Sequence, residues 1–272
     1  MRIDECCFPK VVYMEFADAH IHLSDEEYNA QVDEIVYDAR KVNVVAMVSN
    51  SMDFATSSRS LSLAEQFPRV VYAACGIHPW NVQTLTEEEL RRTIQLIREQ
   101  GKNRSLVAIG EIGLDFKYMN VWDRQVKVFT DMLHLAEELG LPIIIHSRGT
   151  TERIVEMLPS FRLRKVLLHW FSHPISILEK VIDNGYSISE GPPALYSPGI
   201  REVVMKVPMT SLLTETDGPV RYFKSPFDGK RTTPAFIPQV IRAITELKKL
   251  DENDVAVQIR ENFEGFFGVS LN

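Results

Sequence analysis

Gly140-Leu141-Pro142-Ile143-Ile144-Ile145-His146-Ser147-Arg148 is the stretch from which the fold can be read. The glycine ends an amphipathic helix, because only glycine enters the left-handed region there without cost. Proline then blocks any return to helix. Three isoleucines in a row leave no polar position for a solvent-facing side, so this segment suits a strand covered on both faces, as in a parallel sheet. The apolar run stops at a histidine.

The same grammar recurs along the chain. Candidate strands are Phe16–Leu23, Val44–Ser49, Val70–Gly76, Leu106–Gly113, Pro142–Ser147, Lys165–Phe171, Tyr186–Glu190 and Leu212–Thr216. Helical periodicity fills the intervals near 25–41, 54–67, 86–101, 123–140, 150–158, 175–184 and 198–206, with two more helices over 233–248 and 251–267. Strand and helix alternate without a Gly/Ser linker or a shift in composition, which predicts one domain over 1–272, with 1–12 as a short N-terminal extension. Eight such units either close into a barrel or stay open as a doubly wound sheet, and periodicity alone does not choose.

Composition sets outer bounds. The 272 residues are 45% hydrophobic and 25% charged, which excludes a disordered chain, and the net charge of −7 excludes a generally basic nucleic-acid coat. Any phosphate-bearing ligand needs a local patch or a cation. Cys6, Cys7 and Cys75 are odd in number and two are adjacent, a poor basis for a disulfide framework, so a reducing cytoplasm is expected. No apolar stretch long enough for a membrane span occurs, and Asp4, Glu5 and Lys10 interrupt the place of a signal sequence. Neither a membrane nor an obligate protein partner is called for.

The ends of the strands decide between the two architectures. His20 and His22 sit at i and i+2 on the first strand and so share a face. Glu111 follows Leu106–Ile109 where a neutral residue would bury more cheaply; alone, it would also suit a rim charge or a helix cap. His146 and His169 end the fifth and sixth strands, and Glu215-Thr216-Asp217 follows the eighth. Strands 1 and 8 contribute to one place only if the sheet closes, so the pattern favours a single (β/α)8 TIM barrel over the open α/β sheet. Six ligands exceed one open tetrahedral zinc site and point to two metals sharing a carboxylate.

The segments Asp18-Ala-His20-Ile-His22-Leu23, Gly76-Ile-His78-Pro79, Gly110-Glu111-Ile-Gly-Leu-Asp115, Ile145-His146-Ser-Arg148, His169-Trp-Phe-Ser172 and Glu215-Thr-Asp217-Gly-Pro219 resemble, in order and spacing, the TatD-type metal-dependent hydrolases of the amidohydrolase superfamily. The resemblance implies a barrel hydrolase with a divalent-metal centre, commonly a DNase. It implies that His20, His22, Glu111 and Asp217 hold one ion and Glu111, His146 and His169 the other. Glu111 would then bridge, and Asp217 would orient or deprotonate the attacking water. An imidazole-rich set suits zinc, manganese, cobalt or iron; family precedent adds magnesium, so the expected cofactor is two divalent ions, Mg2+, Mn2+ or Zn2+. Two positions depart from the pattern: His173 stands where the family has glycine, and Trp80 where a second histidine is frequent.

Substrate contacts are expected at His78, as a phosphate hydrogen-bond partner or a satisfied loop histidine, and at Arg148, as a bidentate phosphate clamp or an ion pair with Glu152 or Asp115. After the eighth strand, Arg221, Lys224, Lys230 and Arg231 interleave with Tyr222, Phe223 and Phe227 against the single acid Asp228. That mixture suits single-stranded nucleic acid, with Arg221 and Lys224 as contacts, or a solvated loop pinned by aromatics. Leu133, Ala136 and Leu139 read as barrel packing and His134 as an incidental helix residue. The leading expectation is a DNase acting on single strands or frayed ends. Rivals are a small-molecule amidohydrolase, less favoured because a modified lysine often bridges the metals where Glu111 stands, and a non-catalytic metal- or partner-binding barrel.

Overall fold

The computed structural model describes residues 14–103, 105–172 and 174–271. The extension over 1–12, Cys6, Cys7 and His173 lie outside the described residues. Eight parallel strands run in sequential order: β1 Phe16–Ile21, β2 Val44–Asn50, β3 Val71–Cys75, β4 Leu106–Asp115, β5 Ile143–Arg148, β6 Val166–Leu168, β7 Ser187–Glu190 and β8 Leu212–Thr214. Between them lie α1 Val32–Lys41, α2 Phe54–Gln66, α3 Glu87–Gln100, α4 Trp122–Leu139, α5 Thr151–Met157, α6 Ile175–Asp183 and α7 Pro198–Lys206, followed by α8 Ile237–Lys248 and α9 Glu252–Phe267. This is a (β/α)8 barrel.

Closure is made by polar groups of β1, of the end of β8 and of the segment after it. Thr214 Oγ1 donates to the Ala17 carbonyl at 2.8 Å, and the Asp217 N–H reaches the His20 carbonyl at 2.9 Å. Asp18 accepts from the backbone N–H groups of His20 and Thr216, each at 3.1 Å, and from the Thr216 hydroxyl. A fully buried carboxyl thus clasps the seam. Burial, partly offset by the Thr216 hydroxyl, pushes it up to about 8.

Packing follows the sequence patterns. In α1 the buried positions are Val32, Ile35, Val36 and Ala39, the i, i+3, i+4, i+7 stripe of a helix laid on a sheet. Capping boxes at Asp53/Thr56 and Thr86/Glu89 fix where α2 and α3 begin, by satisfying N–H groups that have no partner within the helix. Gly140 ends α4 in the left-handed conformation. Phe263, Phe266 and Phe267 of α9 pack with Ala17, Ala46, Tyr72, Val107 and Leu213 from the early positions of the strands. This smaller cluster fills one end of the barrel interior, leaving the opposite strand ends for polar groups, while the larger core packs strand residues such as Met47, Ile112 and Ile145 against the helices. No described helix is long and apolar enough to cross a membrane.

Candidate metal centre

Strand lengths differ from the expectation in ways that matter here. β4 runs on to Asp115, two residues past the expected end, and Glu111, inside the strand as expected, is 1% exposed and so no solvated rim charge. β6 and β8 stop at Leu168 and Thr214, which leaves His169, Glu215 and Asp217 on the turns just beyond. Gly113, with φ +152°, lets β4 and β5 touch: a Cβ there would stand 2.0 Å from the His146 carbonyl oxygen.

The two oxygens of Glu111 face different groups. Its Oε2 lies 3.3 Å from His20 Nε2 and 3.2 Å from His22 Nε2, and Asp217 Oδ1 is 3.4 Å from His20 Nε2 and 3.6 Å from His22 Nε2. Its Oε1 lies 3.0 Å from His146 Nδ1, 2.8 Å from His169 Nε2 and 3.1 Å from His78 Nε2. The rings of His20 and His169 stack at 3.9 Å, tying the halves together. All six side chains singled out as ligands converge, and three-residue sets within ligand distance include His20–His22–Glu111 and His20–His169–Asp217.

Hydrogen bonds at the far ring nitrogens decide what each imidazole can do. His22 Nδ1 lies 3.1 Å from the Asn50 carbonyl, which can only accept, so the proton is on Nδ1 and the Nε2 lone pair faces the cluster. His146 donates from Nε2 to Asp115 Oδ2 at 3.1 Å, leaving Nδ1 as the lone-pair atom. His169 Nδ1 is 3.6 Å from Glu215 Oε2. At His22 and His146 this is the arrangement in which an outer carbonyl or carboxylate fixes the tautomer of a metal-binding histidine, whereas the buried His169 Nδ1 has no hydrogen-bond partner among the described residues. His20 Nε2 and His22 Nε2 stand only 3.3 Å apart, an unfavourable approach of two lone pairs unless a proton or cation is shared. The donor set therefore fits divalent metal.

His78 is different. Its Nδ1 accepts from the Trp80 backbone N–H at 3.1 Å, so Nε2 carries the proton and donates. Although His78, Glu111 and His146 lie within ligand distance of one another, His78 has the wrong tautomer for a ligand. Burial lowers it to about 4, keeping it neutral.

Charges follow from the crowding. Burial alone would raise Glu111, but the surrounding histidines, His78, His169 and His20 foremost, hold it well below the usual carboxylate range. Asp217, opposed by the same burial, is likewise held low by His20 and His22. Burial works against a charge on His22, yet Asp217 and Glu111 lift it to about 10. His146 is raised by Asp115 and Glu111 against burial, and His169 well above its ordinary value by Glu111 and Glu215.

The centre opens into a cleft of about 570 Å³ whose walls include His22, Met52, His78, Trp80, Glu111, His146, Arg148, His169, Trp170, Asp217, Pro219 and Val220. Arg148 is exposed on that wall and is in no ion pair among the described residues; Glu152 pairs with Lys180, and Asp115 is taken by His146 and Trp80. Arg221 and Lys224 do not line the cleft. Arg221 is engaged by Glu27 and by the Gly229 carbonyl, while Lys224 is exposed on the loop beyond. His134 is a surface residue beside Glu137.

Sequence reasoning gave Asp115 no role beyond a possible ion pair with Arg148, yet it accepts from Trp80 Nε1 at 2.7 Å, from the Lys117 N–H at 2.8 Å and from His146. Burial is outweighed by these donors, which hold it at about 2. Its signal was present: an acid ending a wholly buried strand, four residues after Glu111, needs donors of its own.

A barrel whose mouth gathers imidazoles around a buried carboxylate defines a metal-dependent hydrolase. The model of the family described as TatD related DNase matches residues 17–268, and the chain belongs to that family. It is 32% identical over 262 residues to the uncharacterized metal-dependent hydrolase YabD of Bacillus subtilis, covering 93% of this chain and 99% of that one. It is 29% identical to the 3'-5' ssDNA/RNA exonuclease TatD of Erwinia amylovora, over 93% and 99% of the two chains. The crystal structure of the TatD homologue YjjV from Escherichia coli superposes with a TM-score of 0.88 at 27% identity, over 95% of this chain and all of that one.

Proposed function

We propose that the protein hydrolyses phosphodiester bonds of DNA, on single strands or frayed ends, with two divalent cations held on either side of Glu111. The observation that carries this reading is the division of labour at that carboxylate, one oxygen facing His20 and His22 and the other His146 and His169. His20, His22, Glu111 and Asp217 would hold one ion and Glu111, His146 and His169 the other. Mg2+, Mn2+ or Zn2+ is the expected identity, the imidazole-rich set leaning toward Mn2+ or Zn2+. Such ions neutralise the non-bridging phosphate oxygens and activate water near neutral pH.

The chain's own groups supply the rest. Asp217, held ionised, accepts a hydrogen bond from the attacking water and orients it; so low a basicity makes it a poor acceptor for the full proton. His78, kept neutral by burial, could share the Nε2–H that faces Glu111 Oε1 at 3.1 Å with a phosphate oxygen. Arg148 can engage two phosphate oxygens from the cleft wall. Arg221 and Lys224 would act farther out, along the backbone of a longer strand. The cysteine usage supports a cytoplasmic setting.

End-labelled single-stranded DNA incubated with protein reconstituted with Mn2+, Mg2+ or Zn2+ tests this. Metal-dependent shortening by the wild type and its loss in Glu111→Ala are expected. Intact DNA with every metal would overturn it, as would an undiminished variant.

A further inference from the structure

The cleft wall contains two tryptophans that the chemistry above does not use. Trp80 is 41% exposed, yet it is held at two points: its indole N–H donates to Asp115 Oδ2 at 2.7 Å, and its backbone N–H to His78. Its ring meets those of His78 and His146 near perpendicular, at 80° and 75°, and Tyr118 lies beside it at 6.4 Å. These contacts fix the plane of the indole beside the centre. Trp170 follows His169 directly and lines the same cleft, with its backbone in the left-handed region at φ +41°. A bulky residue is strained there, and such strain persists where the surroundings enforce a position.

Trp80 follows β3 and Trp170 follows β6, three strands apart around a ring of eight, so the indoles enter from nearly opposite walls. Met52 and Val220 add further apolar surface to the cleft. Cations and a phosphate need no such surface.

We propose that Trp80, with Trp170 as the opposing wall, stacks an unpaired nucleobase next to the scissile phosphate, and that this contact makes the enzyme prefer single strands. The proposal rests on the nucleic-acid reading above and assigns its strand preference to a residue. Every base has a π-face, so stacking is indifferent to sequence. In a duplex both faces are covered by neighbouring bases, so a paired base cannot enter without first unstacking. Preorganisation by Asp115 and His78 lowers the ordering cost of the contact.

The test uses full-length, metal-loaded protein and fluorescein-labelled oligothymidylate, alongside the same oligonucleotide with abasic residues at both ends. Binding is read by anisotropy and cleavage by KM and kcat. Trp80→Ala should weaken binding and raise KM about ten-fold, the size expected for one stacked base. Trp80→Phe, which keeps a ring but loses the bond to Asp115, should restore most of the affinity. The abasic substrate should lose a similar factor with the wild type and almost nothing further with Trp80→Ala. Independent, multiplicative losses would overturn the proposal. So would a Trp80→Phe protein as impaired as Trp80→Ala and short of metal by elemental analysis, since Trp80 would then act only through Asp115. Binding that needs Trp80 without any cleavage would leave this proposal standing and sink the nuclease reading. Cleavage indifferent to Trp80 and to the base would do the reverse, and neither binding nor cleavage would sink both.

Discussion

Glu111 concentrates the chemistry in one side chain, but its neighbours determine what it meets. Asp115 orients His146 so that Nδ1 faces Glu111. Replacing Asp115 with alanine should weaken metal binding about 10- to 100-fold, the usual cost of losing an outer partner of a ligating histidine; competition against a chelator measures it, and unchanged affinity would remove Asp115 from the site. Protons also compete for these atoms. His22 is lifted to about 10, above its ordinary value, and His146 and His169 are raised too. In chelator-stripped protein, the stability that His22 contributes is complete below about pH 6.5. It disappears as the pH climbs through about 10. Metal uptake at pH 7 should accordingly release protons, and apparent metal affinity should rise with pH over that interval. Calorimetric titration in buffers of different ionisation enthalpy reads the proton count; a value of zero contradicts the assignment. The six candidate ligands were legible because a charged or imidazole group terminating an apolar strand is conspicuous. Asp115, the tautomer of His78 and the clasp at Asp18 were not, since each depends on which backbone group stands opposite.

The strands and turns place those residues to within hydrogen-bonding distance, and small errors there should be felt at the metals. Gly113 brings β4 against β5, and a Cβ would collide with the carbonyl of His146 itself. Gly113→Ala should cost at least about 2 kcal/mol and lower metal content, because backbone cannot move aside as a flexible side chain does. Denaturant melts and elemental analysis on the same preparation test both parts. At the seam, Asp18→Ala removes an acceptor from two buried N–H groups and a hydroxyl, a loss of about 3 kcal/mol. Asp18→Asn should be milder, since an amide resembles a carboxyl that burial has pushed up to about 8. Equal melting for the two variants would contradict this account of the clasp. Strand number and helix periods were written in the apolar patterns, whereas the sequential order around a closed barrel had to be read from the polar residues at the strand ends. The ends of β4, β6 and β8 were not, because the ladder pairing that stops a strand is set by its neighbours. Arg221 illustrates a further limit: its charge is visible in the chain, but its engagement by Glu27, remote in sequence, is not.

At the level of the molecule, the barrel separates two tasks. Phe263, Phe266 and Phe267 build an apolar floor with the early strand residues, and the opposite mouth carries a buried polar cluster that no apolar core would tolerate uncompensated. Cations held at the mouth would compensate it, so metal should bind the folded state far better than the unfolded chain and raise the melting temperature with concentration. Closure of the barrel was inferred from ligands on both the first and last strands, and the hydrogen bonds from Thr214 and Asp217 to β1 make that join. The central claim is that two ions share Glu111. Anomalous diffraction from crystals grown with Mn2+ tests it most directly. The account predicts two peaks, one among His20, His22 and Asp217 and one between His146 and His169, with Glu111 between them. A single peak, or none at these side chains, would contradict it.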